Sequence, residues 1–411
     1  MDRPDILVVV ADRLDGRAFR DGPDAALRAP TLAALAARAR RFARCYAAAP
    51  SAVAAHASLA TGCLPSRMAV FDDGAELPAT QPTFAHHLRR AGYRTVLAGT
   101  LRFVGPDQLH GFEERLTGDV DRVDFAATPA RVARDDDASE DDGWPEDPPD
   151  PPEPDTQTLD AYDDGVARSA AERLAALTER RDDRPWCFVA GFAGPRQPAT
   201  RLEEEAGRAA VAALDARLAA LLAALPDGDR APLVVFTAAR GAGGGRRLAL
   251  GEAAMRVPML IAGPGIAPER LMRPASTLDL AATLAGLTGA DITSDGRSLF
   301  AEDRPPISME MTCAPRGGPV VGLVDDCWKY LACLDGPPRL YDLVDDPDEA
   351  TDLADLSPGQ TSAMAAEVDA RWNLAALDRA IRLDRARRRL VHRALSVGAP
   401  CDWHHRPRSD A

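Results

Sequence analysis

Residues 5–13 read DILVVVADR, and within them the apolar run 6–10 ends at Ala11 and Asp12. An uninterrupted apolar run of this length is typical of a strand that is buried on both faces, as in a parallel sheet. Ligands of such sheets bind beyond the carboxyl ends of the strands, so Asp12 lies where chemistry is expected. This strand sets the fold class if the rest of the chain supplies more strands of the same kind.

Short apolar runs do alternate with helical patterns through most of the chain. Further strands are predicted at 95–98, 186–192, 233–236 and 258–262, and helices at 31–41, 84–91, 166–177, 211–225 and 277–287. This alternation is typical of an α/β domain with a large, mostly parallel sheet and helices on both faces. The strand ends then place the expected chemistry near Asp12, 99–100, Gly194 and 237–240.

The pattern changes after about residue 303, where short strand-like pieces are joined by turns rich in Asp, Gly and Pro. Strands are predicted at 320–324, 328–333 and 339–343, and one charged helix at 362–395. We therefore predict two domains. The α/β domain spans 1–303, and a smaller α+β C-terminal domain with the tail spans 304–411.

Residues 135–155, called the acidic segment below, hold eleven acids, no base and six prolines. Of the net charge of −14, this segment carries −11, so the remainder is only about −3. Proline-rich, acidic sequence with few apolar groups does not offset its ordering entropy, which predicts a disordered surface insert. It is either a solvated linker or an interaction tail. Elsewhere no basic stripe stands out, so no nucleic-acid partner is expected.

Composition gives three further indications. Hydrophobic residues make up 46% of the chain, yet no apolar run approaches the roughly 18 residues of a membrane span. The N-terminal sequence MDRPDILVVVAD lacks the features of a secretory signal, which predicts a cytoplasmic protein without membrane contact. The seven cysteines form no C-x-x-C pair, so neither a zinc site nor a disulfide framework is predicted. Lys329 is the only lysine among the 49 basic residues.

Several longer stretches resemble a known family. They are LPSR (64–67), FDDGAELPATQPTFAHHLRRAGYRTVLAG (71–99), FVGPDQLHGFEERLTGDV (103–120), VPMLIAGPGIAP (257–268), CWKYLAC (327–333) and LYDLVDDPDEATDLADL (340–356). On them the chain resembles the sulfatase family, and within it the choline-sulfatase type. The resemblance implies an alkaline-phosphatase-like fold. In a working member it also implies hydrolysis of sulfuric esters by a formylglycine nucleophile held against a divalent cation.

The position of the nucleophile depends on which register is used. Residues 63–67 match C-x-P-S-R, the short motif in which sulfatases convert a cysteine to formylglycine. However, the family's helix ends in a Ser/Thr-Gly-x-Leu-Pro-Ser-Arg run, which here is 61–67. Counting back from it places the nucleophile position at Ala52 and the motif's arginine at His56. Cys63 then lies about 16 Å further along at 1.5 Å per helical residue, which predicts that its match is accidental.

The metal positions implied by the resemblance are also altered. Asp12 matches the family's first metal aspartate, but its neighbour is Arg13, a cation that would repel the metal or pair with Asp12. An Asp-His-Gly-Asp type run matches 239–242, where Ala239 and Arg240 stand instead of ligands. Since Ca²⁺ needs several oxygen ligands, a single aspartate does not hold it. We therefore expect no cofactor, and Asp12 to be a vestigial ligand.

The substrate positions differ as well. The lysine and histidine of the family's Gly-Lys-x-His run match Thr100 and Arg102, and the histidine of its His-Pro-His-Asp type run is absent from 194–197. The aromatic expected near a quaternary ammonium group is Ala127. The arginines at these positions either bind a small anion without metal or pair with local acids. They are Arg13, Arg102, Arg196 and Arg240.

These matches predict a catalytically inactive relative, with vestigial positions Ala52, His56, Thr100, Arg102 and Arg240. Its expected partners are a small anionic ligand, a second copy of the chain or an active relative. The alternative is a sulfuric- or phosphoric-ester hydrolase that uses Asp12, Ser51 and His56 with Ca²⁺ or another divalent ion. In the first hypothesis, Ser51 serves as a helix N-cap.

Overall fold

The computed structural model describes residues 3–19, 28–120, 125–128, 155–179, 184–195, 205–242, 250–289, 292–314 and 318–397. The strands in these ranges are β1 Ile6–Arg13, β2 Arg40–Phe42, β3 Cys45–Tyr46, β4 Arg94–Gly99, β5 Glu114–Thr117, β6 Trp186–Phe192, β7 Leu233–Arg240, β8 Arg256–Val257, β9 Met259–Ala262, β10 Glu269–Leu271, β11 Ala275–Ser276, β12 Ile307–Met311, β13 Val320–Val324, β14 Trp328–Cys333 and β15 Arg339–Asp342. The α-helices are α1 Pro30–Ala37, α2 Ala52–Thr61, α3 Pro65–Met68, α4 Phe84–Arg90, α5 Thr156–Thr178, α6 Glu205–Ala223, α7 Glu252–Met255, α8 Asp279–Leu287, α9 Pro358–Arg371 and α10 Leu374–Leu395.

Strand β1 lies inside an eight-stranded sheet of order β10-β2-β9-β7-β1-β6-β4-β5. All eight of its residues are buried, as its apolar run predicts. It pairs in parallel with β6 and β7, and β4 pairs in parallel with β5 and β6. Strand β9 pairs antiparallel with β2 and β7, whereas β10 pairs in parallel with β2. Five of the seven strand pairs of this sheet are therefore parallel. The prediction of a mostly parallel sheet is confirmed.

Helices cover this sheet in two groups. Helix α5 packs against α6, and α1 packs against α6, while α2 and α4 both pack against α8. Strand β4 is contacted by α5 from the first group and by α4 from the second. This arrangement agrees with helices on both faces of the sheet.

The predicted helix 31–41 is wrong at its C-terminal end. Helix α1 ends at Ala37, and Arg40 to Phe42 form β2, which pairs antiparallel with β9 and parallel with β10. The Ala- and Arg-rich sequence favours a helix locally. Pairing with two distant strands and burial of Phe42 override that weak preference.

A second, antiparallel sheet of order β12-β13-β14-β15 follows in the C-terminal part. Its residues alternate between two environments, as the two faces of a strand require. Val320 and Val324 belong to the same buried core as the large sheet, whereas Val321 and Leu323 pack in a separate cluster with residues of α9 and α10. The predicted boundary at 303/304 stays a prediction, since the core continues across it.

The single predicted helix 362–395 is also wrong, because α9 and α10 are separate helices. Trp372 is extended, and its indole Nε1 donates to the Glu310 carboxylate at 2.7 Å. Asn373 then caps α10 by accepting the Ala376 amide at 2.9 Å. An asparagine before an apolar residue is a recognised N-cap signal, so this break was readable from the sequence.

The chain's single lysine is fully buried between two carboxylates. Lys329 Nζ lies 2.8 Å from Glu349 Oε1 and 3.2 Å from Glu252 Oε1. Arg256 Nη1 contacts the other oxygen of Glu252 at 2.7 Å. This cluster joins β14 to α7, so the lysine connects the C-terminal sheet to the larger part of the fold.

In the part of the chain that the structure describes, no helix is long and apolar enough to cross a membrane.

Candidate functional site

Parallel pairing brings the predicted strand ends to one edge of the large sheet. Strands β1 and β7 run in register until Arg13 lies opposite Arg240. Strands β4 and β6 reach the same edge at Gly99 and Phe192. The prediction that Asp12, 99–100, Gly194 and 237–240 share one edge is therefore confirmed.

Asp12 is the centre of this edge, and two arginines bind its carboxylate. Arg102 Nε lies 3.3 Å from Asp12 Oδ1, and its Nη2 lies 3.3 Å from Oδ2. Arg240 Nη2 also lies 3.3 Å from Oδ2, and its Nη1 donates to the Pro50 carbonyl at 3.2 Å. Asp12 is completely buried and both arginines are nearly so. These cations bind the carboxylate oxygens that the family resemblance assigns to a metal.

His56, the position matched to the motif's arginine, lies beside this ion pair. Its Nδ1 is 2.8 Å from the Ala52 carbonyl and 3.8 Å from Asp12 Oδ1. The first contact requires Nδ1 to carry the proton in the neutral ring, which leaves Nε2 as an acceptor. Nε2 is buried and makes no hydrogen bond to the described residues. Burial lowers the pKa of His56 to about 4, although the Asp12 carboxylate acts in the opposite direction.

Ala52 begins α2, as the register predicts for the nucleophile position, and its methyl group is buried. Ser51 does occupy the N-cap position, but the prediction that its side chain caps the helix is wrong. Its Oγ is buried without a hydrogen-bond partner among the described residues. Asp73 caps the helix instead, since its Oδ1 accepts the Val53 amide at 2.8 Å. No local pattern links positions twenty residues apart, which is why the sequence did not reveal this cap.

The loop that carries Arg102 is held by an aspartate that sequence reasoning missed. Asp119 Oδ1 accepts the Thr100 hydroxyl at 2.7 Å and the Arg102 amide at 3.0 Å. The loop leaves β4 at Gly99, whose φ is +89° and where a Cβ would lie 2.0 Å from the Gly191 carbonyl oxygen. Only glycine fits so close an approach of two backbones. Arg102 itself has a φ of +52°, an uncommon conformation for a side-chain-bearing residue.

Of the remaining predicted site positions, Ala127, Gly194 and Ala239 lie among the described residues and Arg196 does not. Ala239 is buried in β7 and offers no ligand atom on its side chain, while Ala127 lies in a short 3-10 helix, Phe125–Ala127. Gly194 donates its amide to Asp163 Oδ2 at 3.0 Å. Arg196 and the acidic segment up to residue 154 lie outside the described residues.

Cys63 is not part of this site. It follows Gly62, which ends α2 in the left-handed conformation at the opposite end from Ala52. Its Sγ is buried and lies 3.6 Å from the Thr293 carbonyl oxygen. Burial raises the pKa of the thiol, which disfavours the reactive thiolate. The interpretation of Cys63 as an accidental match agrees with this placement.

The donor set does not fit a divalent cation. Among the described residues, no group of three or more His, Cys, Asp and Glu side chains is arranged to hold a metal ion. Asp12 is bound by two guanidinium groups, and Asp73 is used as a helix cap. A Ca²⁺ ion takes six to eight oxygen ligands, so it would have to displace both arginines and find further donors.

Sequence comparisons agree on one family. The sequence model described as Sulfatase matches residues 4–290. The choline-sulfatase of Rhizobium meliloti (strain 1021) is 34% identical over 489 aligned positions, covering 98% of this chain and 94% of that protein. The alignment is longer than this chain of 411 residues, so that relative carries stretches that are missing here. The arylsulfatase K of Xenopus laevis is 29% identical over 139 positions, covering 29% of this chain and 26% of that protein.

Solved structures support the fold. A 2-O GAG sulfatase superposes with a TM-score of 0.65 at 20% identity, covering 97% of this chain and 95% of that one. A phosphonate monoester hydrolase from Silicibacter pomeroyi gives a TM-score of 0.67 at 18% identity, covering 96% of both chains. The alkaline-phosphatase-like fold implied by the resemblance is confirmed.

The neutral His56 predicts a pH-dependent stability. Unfolding returns the pKa of His56 to about 6.5. Between about pH 6.5 and pH 4 the unfolded state therefore binds a proton that the folded state does not. Stability is therefore lost as the pH falls from about 6.5 to about 4, by about 2.5 kcal/mol between pH 7.5 and 4.5. Urea unfolding of the native protein and of His56→Gln measures this. The stability difference between them should change by that amount in favour of the variant, whereas a pH-independent difference would contradict a neutral, buried His56.

Proposed function

The chain belongs to the sulfatase family, and we propose that it is a choline-sulfatase-like member that no longer hydrolyses sulfuric esters and has a binding or assembly role. The observation that carries the proposal is the engagement of Asp12 by Arg102 and Arg240. An ester hydrolase of this family needs a nucleophile and a cation at this place. Here a methyl group begins α2, and guanidinium groups bind the carboxylate.

The absence of a nucleophile is argued from the first residue of α2. Sulfatase chemistry forms a bond from a nucleophilic oxygen to sulfur, and the family supplies that oxygen from a modified cysteine. Ala52 has no atom that performs this step, and Cys63 lies past the other end of the helix. Arginines do stabilise negative charge on an ester, but they do not activate an attacking oxygen as a metal does.

The proposed ligand is a small oxyanion such as sulfate, phosphate or a carboxylate. Arg240 lies close enough to Arg13 and Arg102, and to the carboxylates of Asp12 and Asp73, for their charges to act on it. Guanidinium groups form paired hydrogen bonds with planar or tetrahedral oxyanions, so a group of arginines at this edge favours an anion.

Enzyme assays test the inactivity. Choline sulfate, 4-nitrophenyl sulfate and 4-nitrophenyl phosphate should give no turnover above a protein-free blank, with chelator or with added Ca²⁺, Mg²⁺, Mn²⁺ or Zn²⁺. The alternative hydrolase uses Ser51 and Asp12, so turnover lost in Ser51→Ala and in Asp12→Ala but kept in Cys63→Ser would establish it. Ser51 makes no side-chain hydrogen bond to the described residues, so its replacement leaves the fold intact.

Anion binding is tested by thermal unfolding in sulfate, phosphate and acetate against chloride at constant ionic strength. We expect sulfate or phosphate to raise the midpoint of the native protein by several degrees, because a ligand that binds only the folded state stabilises it. Arg240→Gln should lose the effect, and the exposed Arg230→Gln should retain it. Equal shifts in all three proteins would mean a general salt effect, and the anion site would be rejected.

A further inference from the structure

The outer side of α10 carries apolar residues that the fold does not cover. Leu383 is 53% exposed and Leu390 is 70% exposed, and their spacing of seven places them on the same stripe of the helix. Val397, 78% exposed, continues the spacing just past the helix end. The last turns also expose Val391 and Leu395. Clustered exposed apolar side chains of this kind mark an interaction surface.

Helix α10 also carries seven arginines, of which Arg388 is buried against the fold and Arg379, Arg387 and Arg393 are exposed. Arg382, Arg385 and Arg388 have carboxylate partners in Asp378, Asp72 and Asp384. The other four arginines of α10 have no ion-pair partner among the described residues; they are Arg379, Arg387, Arg389 and Arg393. Burial, followed by the like charges of Arg385, Arg388 and Arg393, lowers the pKa of Arg389. The helix therefore carries uncompensated positive charge beside its apolar stripe.

We define the outer face of α10 as Arg379, Leu383, Arg389, Leu390 and Arg393. On a helix of 3.6 residues per turn these positions fall within about one third of the circumference. An occupant that complements this face is strongly acidic and carries some apolar groups. A basic and apolar helix face of this type binds acidic, partly apolar peptide segments.

The chain contains such a segment, and the described structure brings its start to α10. The acidic segment carries eleven acids without a base and includes Trp144. Arg388 on α10 donates to the Thr128 hydroxyl at 2.6 Å, and the sequence that leads into the acidic segment begins at the next residue. The short 3-10 helix that ends at Ala127 also packs on α10. From these observations we propose that residues 135–154 of the acidic segment of the same chain dock on the outer face of α10.

The distances allow this docking. Asp135, the first acid of the segment, is seven positions after Thr128, and an extended chain spans up to about 3.5 Å per position, or about 25 Å. From Arg388 to the end of α10 is seven residues, or about 10 Å along the helix axis. The acids can therefore reach Arg389 and Arg393 with slack.

Zero-length cross-linking tests the proposal because the native chain has one lysine, Lys329, and it is fully buried. Arg393→Lys and Arg389→Lys each install a reactive amine on the outer face without changing its charge. Arg230→Lys is the control, since Arg230 is exposed and precedes β7 at the opposite edge of the sheet from Asp12. Carbodiimide joins a carboxylate to a nearby amine as an amide, and peptide mass spectrometry identifies the joined residues.

We expect amide links from the introduced lysines to carboxylates of residues 135–154, several-fold more abundant than in the control and much reduced in 0.5 M salt, where charge attraction is screened. Mixing ¹⁴N- and ¹⁵N-labelled protein separates links within one chain from links between two. Links only between chains would assign the face to a second copy and overturn docking within the chain. Links to other carboxylates, or no excess over Arg230→Lys, would also overturn it. The outcome does not depend on whether the chain hydrolyses esters.

Discussion

The site is governed by the ion pairing of one buried carboxylate with two buried arginines. Taking Asp12, Arg102 and Arg240 out of water is costly, and their mutual attraction offsets this only while all three stay in place. Removing one partner of such a pair typically costs about 3–5 kcal/mol. The strand ends and the loop held by Asp119 are therefore tied to this arrangement. A divalent ion could enter only by separating the carboxylate from both guanidinium groups.

The fold supports this arrangement with the frame of a sulfatase. Parallel strands bring Asp12, Thr100 and Arg240 to one edge from distant parts of the chain, and α2 begins beside them at Ala52. The frame depends on buried apolar strands and close glycine contacts, which do not require catalytic groups. A family fold can therefore persist while the residues at its site change from metal ligands to cations. That separation of fold from chemistry is the basis of the proposed loss of activity.

The sequence predicted the features that have a local pattern. Apolar runs located β1, β6 and β7, and their parallel order placed Asp12 and Arg240 together. It failed where a distant partner decides the structure. The predicted helix 31–41 runs into β2, which forms by pairing with β9. The Asp73 cap and the Asp119 loop contacts join residues about twenty positions apart. The break before Asn373 was a different kind of miss, because its capping signal is local.

The metal content of the purified protein tests the central claim most directly. Elemental mass spectrometry on protein prepared without chelator measures Ca, Mg, Mn and Zn per chain, independently of any choice of substrate. We predict far less than one equivalent of each, because Asp12 is already bound by two arginines and the described residues offer no ligand cluster. About one divalent ion per chain, lost in Asp12→Asn, would contradict the account and return the site to metal-assisted ester hydrolysis.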